Sequence, residues 1–326
     1  MKDLSQYLPE YRFLPIIAGP TASGKSDIAM HLAEKTGGEI VSCDSMQIYK
    51  GLDIGTAKPT KEDQAAVPHH MIDIVDPSVS YSVSDYSSEA VSEIEDILSR
   101  GRLPIICGGT GQYVSALFNG TKFGEDTDSD SVINELYERF DSEGIDGIYE
   151  ELSKADPEAA AKIHPNNTRR VIRAYAVYLD SGVTFTEKNK RSHSEGPSYP
   201  FMIFCPDMPR DILYDRINRR VDNMVEQGLV EEARWLLTNY EKTGATALQA
   251  IGYKELFPYL NNERDLDSCI YEIKLNSRHY AKRQLSWFRY MSKNDIDLSK
   301  SDKSMVEILG QLEKSLKFGP KKIFLL

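Results

Sequence analysis

With 326 residues, 40% of them hydrophobic and 27% charged, the chain has the make-up of a folded globular protein, long enough for a core that carries a second, inserted domain. No run approaches the roughly 18 uninterrupted apolar residues of a membrane helix, and the opening residues lack the apolar stretch of a secretory leader, so a cytoplasmic protein with no membrane partner is expected. The net charge of −11 would exclude a nucleic-acid partner only if it were evenly spread: thirteen acids against three bases fall within residues 121–160, whereas residues 274–293 hold six bases and no acid.

In chain order, "FLPIIAG", "GEIVSCD", "MIDIVD" and "LPIICGG" are short Ile- and Val-rich runs bounded by Gly, Pro or Asp. Such runs read as buried parallel strands, and helical stretches lie between several of them. One of these, "SVSDYSSEAVSEIEDILSRG", has a Ser or Asp start and a Gly stop at Gly101, as a crossover helix should. After "GGTGQYVSALFNG" the pattern changes, and residues 121–192 hold only helical segments such as "VINELYERF" and "TRRVIRAYAVYLD". The strand "YPFMIFCPD" then resumes the sheet. A long helix follows, with apolar spacing at Ile212, Ile217, Val221, Met224 and Val225; "DIDLS" reads as a last edge strand and "SMVEILGQLEKSLK" as a last helix. The expected fold is therefore α/β, a P-loop NTPase-like parallel sheet flanked by helices with an all-helical insertion domain. Residues 1–120 form the first part of the core, 121–192 the insertion, and 193–326 the second part with basic C-terminal helices. The four cysteines, Cys43, Cys107, Cys205 and Cys269, lack the spacing of a zinc pair and read as buried reduced thiols.

The stretch "GPTASGKS" fits G-x-x-x-x-G-K-[ST] and lies between an apolar strand and a helix, as that motif must. Gly19, Pro20, Thr21, Ala22, Ser23 and Gly24 would fold round an anion with their N–H groups inward, Lys25 would add a full positive charge, and the Ser26 hydroxyl could ligate Mg²⁺. Such a loop binds a diphosphate but does not specify what the diphosphate is attached to. The fourth strand ends in "GGTG" where a phosphoryl-transfer enzyme would place a metal-binding acid. Asp44, Asp73 and Asp76 are the acids near the carboxyl edge of the sheet, where ligands of open α/β sheets sit. On their own residues Asp44 and Thr110 read equally as helix caps. Arg216 and Arg220 share a helix face that could meet the diphosphate or simply be solvated. The adjacent His69 and His70 read as buried hydrogen-bonded residues.

Together and in this order, "GPTASGKS", "DSMQIY", "DIGTAKP", "PHHMIDIVDP", "GGTGQY", "IGYKE" and "RQLSWFR" resemble the tRNA dimethylallyltransferases over residues 16–289. The resemblance implies transfer of a dimethylallyl group from dimethylallyl diphosphate to N6 of the adenosine 3′ of the anticodon, with Mg²⁺ as cofactor and the anticodon stem-loop of tRNA as partner. Asp44 would be the general base, and Thr110 would lie near the reacting centre. The segments Asp44, Ser45, Met46, Gln47 and Arg169, Arg170, Val171, Ile172, Arg173 would contact the tRNA. Gln47 would reach a base edge, and the arginines phosphates or bases. Arg278, Lys282 and Arg289, with Trp287 nearby, read either as a phosphate-tracking surface or as a solvated face with a core tryptophan. A monomer is expected. Competing readings are an adenylate isopentenyltransferase acting on free nucleotide, a P-loop small-molecule kinase whose inserted arginines close on ATP, and a nucleotide-dependent RNA-binding protein. The insertion and the basic helices favour the macromolecular acceptor.

Overall fold

The structure, a computed structural model, describes residues 1–121, 130–192, 196–240, 246–291, 294–297 and 305–319. Lys122, Glu125, Asp126 and Asp128 of the acidic stretch, Lys293 of the basic one, and Leu298 and Ser299 of the last expected strand lie outside them. The chain divides into two compact units, Met1–Phe118 with Pro197–Leu326, and Asn119–Gly196.

The first unit is built on strands β1 (Leu14–Ala18), β2 (Glu39–Ser42), β3 (His69–His70), β4 (Pro104–Gly108), β5 (Phe201–Asp207) and β6 (Asn294–Asp297) in the order β3-β2-β4-β1-β5-β6. Every pairing is parallel, with Ile16 in register with Ile106 on one side and Ile203 on the other. Parallel strands covered on both faces have no solvated side, which is why all five residues of β1 and all five of β4 are buried and apolar side chains run without alternation. Helices α1 (Lys25–Thr36), α2 (Lys61–Ala66), α3 (Val83–Ser99) and α4 (Gly111–Asn119) occupy the connections between the first strands. The start of α3 is fixed by a capping box: Ser82 accepts the Asp85 N–H while Asp85 accepts the Ser82 N–H, an arrangement worth about 1 kcal/mol.

The third strand is displaced from its expected place. "MIDIVD" is mostly bent, irregular backbone, and β3 is the preceding His69–His70, because Met71 and Asp73 adopt left-handed conformations (φ 61° and 54°) that no extended strand tolerates. Val75 makes only an isolated parallel bridge to Tyr49. His70 lies between two carboxylates, 2.7 Å from Glu39 and 2.7 Å from Glu93, and His69 bonds to the Val67 carbonyl oxygen at 2.8 Å.

The second unit, among the described residues, contains helices only: α5 (Asp130–Glu143), α6 (Asp146–Ala155), α7 (Pro157–Lys162), α8 (Thr168–Ser181) and α9 (Phe185–Ser192). It has its own core, with Leu136, Ile148, Leu152, Val171, Ile172 and Tyr175 among its members. Buried Asp156 ties α7 to α9 by accepting from the Ala159 N–H and from both the N–H and hydroxyl of Thr186.

Back in the first unit, α10 (Arg210–Glu226) and α11 (Leu229–Tyr240) are followed by α12 (Phe257–Leu260), α13 (Leu266–Arg289) and, beyond β6, α14 (Met305–Phe318). In α10 the inward stripe is Leu213, Ile217, Val221 and Met224; Ile212, expected to face the core, is 45% exposed, one position off the stripe. Val221 and Met224 join Ile48, Tyr49, Leu52, Leu229 and Ile273 in a core separate from that of the sheet, so the turn after β2 is held by the helices that follow β5. All four cysteines are buried and free.

Candidate active site around the phosphate loop

Residues 19–24 connect β1 to α1, and Ala22 (φ 62°) and Gly24 (φ 85°) are both left-handed. Alternation of left- and right-handed residues turns successive N–H groups to one side, the geometry of an anion nest, and α1 begins at Lys25 with its positive end on the same loop. Ser23 is fully buried and its hydroxyl has no protein partner, an unmet polar group of the kind an anion would satisfy.

Three cations converge here without counter-ions. Lys25 Nζ makes one long contact, 3.4 Å to the Pro20 carbonyl oxygen. Arg216 lies beside Gly24, and Arg220 donates to the Thr56 carbonyl oxygen at 3.5 Å. Among the described residues no carboxylate pairs with any of the three, whereas the intervening Arg219 is paired with Asp215 at 2.7 Å. Burial pulls the Lys25 ammonium below its ordinary 10.5 and Arg220 adds to this, against the opposing pull of Cys107 and Asp44. Burial likewise lowers Arg220, with Asp44 opposing. Uncompensated, partly desolvated positive charge is costly, so a site that keeps three such groups together is built for an anion.

Asp44 follows β2, and its Oδ1 accepts the Met46 N–H at 2.9 Å. This is a local turn rather than a helix cap, since residues 45–48 form turns. The carboxylate lines a cavity of about 460 Å³ together with Lys25, Ser26, Arg220 and Tyr280. Thr110 does not cap α4 with its side chain either. Its Oγ1 accepts the Ser45 N–H at 2.9 Å, while its own N–H donates to the Cys43 carbonyl oxygen at 3.2 Å. The phosphate loop, Asp44 and the surroundings of Thr110 thus meet at the carboxyl ends of β1, β2 and β4. Of the other two acids at that edge, Asp73 is bound to the buried Lys58 at 2.6 Å, and Asp76 accepts from Ser78 and from the Tyr240 hydroxyl.

Ser45, Met46 and Gln47 line the same cavity, but the Gln47 amide is already engaged: its Oε1 accepts the Ser42 hydroxyl at 2.9 Å, and its Nε2 donates to the carbonyl oxygens of Thr56 and Ala57 at 3.3 and 3.2 Å. In this structure Gln47 pins the "DIGTAKP" loop, and reading a base edge would require exchanging those bonds. On α8, Arg169, Arg170 and Arg173 are exposed, whereas Val171 and Ile172 are 0% and 1% exposed inside the helical unit's core. The expectation that these two contact tRNA is therefore corrected: a side chain sealed in a core cannot reach a polynucleotide, and theirs anchor the helix that presents the arginines.

Several residues to which the sequence assigned no role belong to the site. Gln284 bonds to the phosphate loop and to the turn before Thr110. Tyr253 of "IGYKE" donates to Glu232 at 2.6 Å, and that carboxylate in turn accepts the N–H groups of Asp53, Ile54 and Gly55. Along α13, Lys274 pairs with Asp222 and Arg278 bonds to Asn218, while Lys282 and Arg289 are exposed.

The model of the IPP transferase family matches residues 47–291, and that of the isopentenyl transferase family residues 13–79. The chain is 45% identical to a tRNA dimethylallyltransferase of Halalkalibacterium halodurans over 93% of its own length and 99% of that protein. It is equally identical to one of Bacillus subtilis over 84% of its length and 87% of that protein. Among solved structures it resembles the full-length tRNA isopentenylpyrophosphate transferase of Bacillus halodurans (43% identity, TM-score 0.68, 94% of this chain and 97% of that one). It also resembles a eukaryotic dimethylallyltransferase acting on tRNA (30% identity, TM-score 0.80, 95% and 81%). With relatives matched nearly end to end and a family model over most of its length, the chain belongs to the tRNA dimethylallyltransferase family.

Proposed function

We propose that this protein transfers the dimethylallyl group of dimethylallyl diphosphate to N6 of the adenosine 3′-adjacent to the anticodon of tRNA. The observation that carries this is the convergence of Lys25, Arg216 and Arg220, none paired with a carboxylate among the described residues, on a nest that shares its cavity with the Asp44 carboxylate. The cations meet the diphosphate, and the carboxylate meets the amine. In the reaction the bond from the allylic carbon to the diphosphate oxygen breaks, the bond from that carbon to N6 forms, and an N6 proton passes to Asp44. A positioned base of this kind is worth about 10²- to 10⁴-fold. Positive charge fixed in advance at the departing diphosphate lowers the barrier to its departure.

Mg²⁺ suits the site in the manner usual for it, with one or two protein oxygens and the rest from phosphate and water. Ser26 lines the cavity and would hold the ion, and the described residues contain no cluster of three or more acidic, His or Cys side chains that would cage it without the substrate. When bound, the ion neutralises charge on the leaving diphosphate. A base must leave its stack to bring N6 to Asp44, at a cost of a few kcal/mol. The exposed arginines of α8 are suited to hold tRNA phosphates, and the exposed Lys282 and Arg289 of α13 are, separately, suited to the same task.

The test is incubation with Mg²⁺, dimethylallyl diphosphate and unmodified tRNA, followed by digestion and mass analysis of the nucleosides. The expected product is adenosine heavier by one dimethylallyl unit. Modification of free adenine nucleotide but not of tRNA, or ATP consumption with a phosphorylated product, would overturn the reading.

A further inference from the structure

The segment "RQLSWFR" does something other than present bases to a nucleic acid. Gln284, on α13, is 5% exposed, and both ends of its amide are spent on the active site. Oε1 accepts the N–H of Thr21 in the phosphate loop at 2.9 Å, and Nε2 donates to the carbonyl oxygen of Gly109 at 2.9 Å. One side chain thus spans the loop suited to the diphosphate and the turn that carries Thr110.

The glycines on either side of Thr110 exist for this contact. A Cβ at Gly109 would collide with the Gln284 amide, and one at Gly111 would come within 2.5 Å of the Trp287 ring. Gln284 and Trp287 are i and i+3 on one helix face, so α13 grips the "GGTG" turn by both glycines and leaves the threonine between them. Tyr280, four residues before Gln284 on the same face, lines the cavity that holds Asp44. A buried primary amide with both groups used is geometrically demanding: no apolar residue and no carboxylate supplies one donor and one acceptor in these positions.

We propose that Gln284 is a positioning residue for the transfer: it fixes the separation between the phosphate loop and the Thr110 turn, and thereby between the two reacting groups. The proposal rests on the transferase reading only for the step whose geometry is set. Misplacement of reacting groups by about 1 Å costs as much as 10²-fold in rate, so Gln284→Leu is expected to lower kcat about 10- to 100-fold, with a smaller change in the KM for tRNA. Gln284→Glu separates register from general damage. The protonated acid reproduces the amide's donor and acceptor and the carboxylate does not, so its kcat relative to wild type should rise as pH is lowered from about 8 to about 6, burial holding the new carboxyl's pKa up.

Thermal melts of both variants establish that folded protein is compared, and Gln284→Glu at the acidic end retains the native bonding pattern should Gln284→Leu fail to fold. A kcat for Gln284→Leu within about twofold of wild type, or a Gln284→Glu ratio flat with pH, would overturn the proposal. Titration with inorganic diphosphate tests it apart from any transfer. Loss of one bond that orients the loop predicts affinity weakened about 3- to 10-fold in Gln284→Leu, and equal affinity overturns it. If the wild type makes no dimethylallyl product, the reading of the reaction fails while that titration still decides the role of Gln284.

Discussion

The Thr110 hydroxyl accepts the Ser45 N–H at 2.9 Å, and this bond, beside that from the Thr110 N–H to the Cys43 carbonyl oxygen, ties the turn after β4 to the turn after β2 that carries Asp44. Thr110→Val keeps the shape and removes the acceptor, leaving a half-buried N–H without its partner at about 1–3 kcal/mol. The expected outcome is a lower melting temperature and kcat reduced at least about tenfold as Asp44 loses its support. Thr110→Ser, which restores the hydroxyl, should recover most of both. Steady-state kinetics beside thermal melts check this, and equal kinetics for Thr110→Val and wild type would remove Thr110 from the site.

Asp44 has one oxygen in its own turn and is placed to use the carboxylate as a base. Asp44→Asn can still accept the Met46 N–H, so the turn should survive while proton acceptance is lost. The expected result is kcat down by about 10² or more with diphosphate affinity nearly unchanged, measured by single-turnover assay and calorimetric titration. A comparable loss of diphosphate affinity would mean that Asp44 serves binding rather than catalysis.

Lys25 makes diphosphate binding depend on pH in a definite direction. Burial, with Arg220 beside it, holds its pKa under the ordinary 10.5 in the free protein, and a bound diphosphate favours the ammonium. Binding therefore takes up a proton wherever the free protein has lost it: affinity is full below the depressed pKa and falls as pH rises through it. Lys25→Arg should abolish this limb, because a guanidinium stays charged. For stability the sign is reversed. The ammonium is disfavoured in the fold, so its cost is present below the depressed pKa and is relieved as pH rises through it, and Lys25→Met should raise the melting temperature while diminishing diphosphate binding. Calorimetry in buffers of different ionisation enthalpy counts the protons taken up.

The parts of this protein legible in the sequence are those specified by neighbours in the chain. The phosphate loop needs only the order of its glycines, Lys25 and Ser26, and the buried strands need only runs of Ile and Val, so both stand out in a single pass. Gln284 does not, because its partners Thr21 and Gly109 are 263 and 175 residues away, and the block "RQLSWFR" that contains it marks a family without saying what the glutamine bonds. The α8 segment shows the opposite error. Taken as a block, "RRVIR" seems uniformly available, but helical periodicity sends Val171 and Ile172 inward with Ala174 and Tyr175 and leaves Arg169, Arg170 and Arg173 outside. The misplaced third strand has a backbone cause, the left-handed Met71 and Asp73, that side-chain hydrophobicity does not report.

The exposed arginines of α8 should behave as phosphate contacts. Each phosphate neutralised contributes about 0.7 to 0.9 to the slope of log affinity against log salt, so replacing Arg169, Arg170 and Arg173 together by Gln should flatten that slope by up to about 2.7 and weaken tRNA binding at low salt. The affinity for diphosphate should not change. An unaltered slope in filter-binding or anisotropy titrations would leave these arginines as a solvated face.

Glu232 offers the sharpest test of how the "DIGTAKP" loop is held. Its carboxylate accepts three successive backbone N–H groups, those of Asp53, Ile54 and Gly55, together with the Tyr253 hydroxyl, and a Cβ at Gly55 would strike the Tyr253 ring. The same loop supplies the carbonyl oxygens that receive Gln47 and Arg220. Bonds to a charged acceptor contribute about 1.5–3 kcal/mol each and are not additive within one network, so Glu232→Ala should cost about 3–5 kcal/mol and Tyr253→Phe about 1–2. In the double variant the two losses should not add, because the hydroxyl has nothing to bond once the carboxylate is gone. Since the Thr56 carbonyl oxygen of this loop receives Arg220, which lines the diphosphate pocket, Glu232→Ala should also raise the KM for the donor, whereas Tyr253→Phe, which leaves the three N–H bonds in place, should scarcely change it. Denaturant melts of the double-mutant cycle and donor kinetics on the single variants decide both points, and additive losses would mean that the tyrosine and the glutamate stabilise the loop independently.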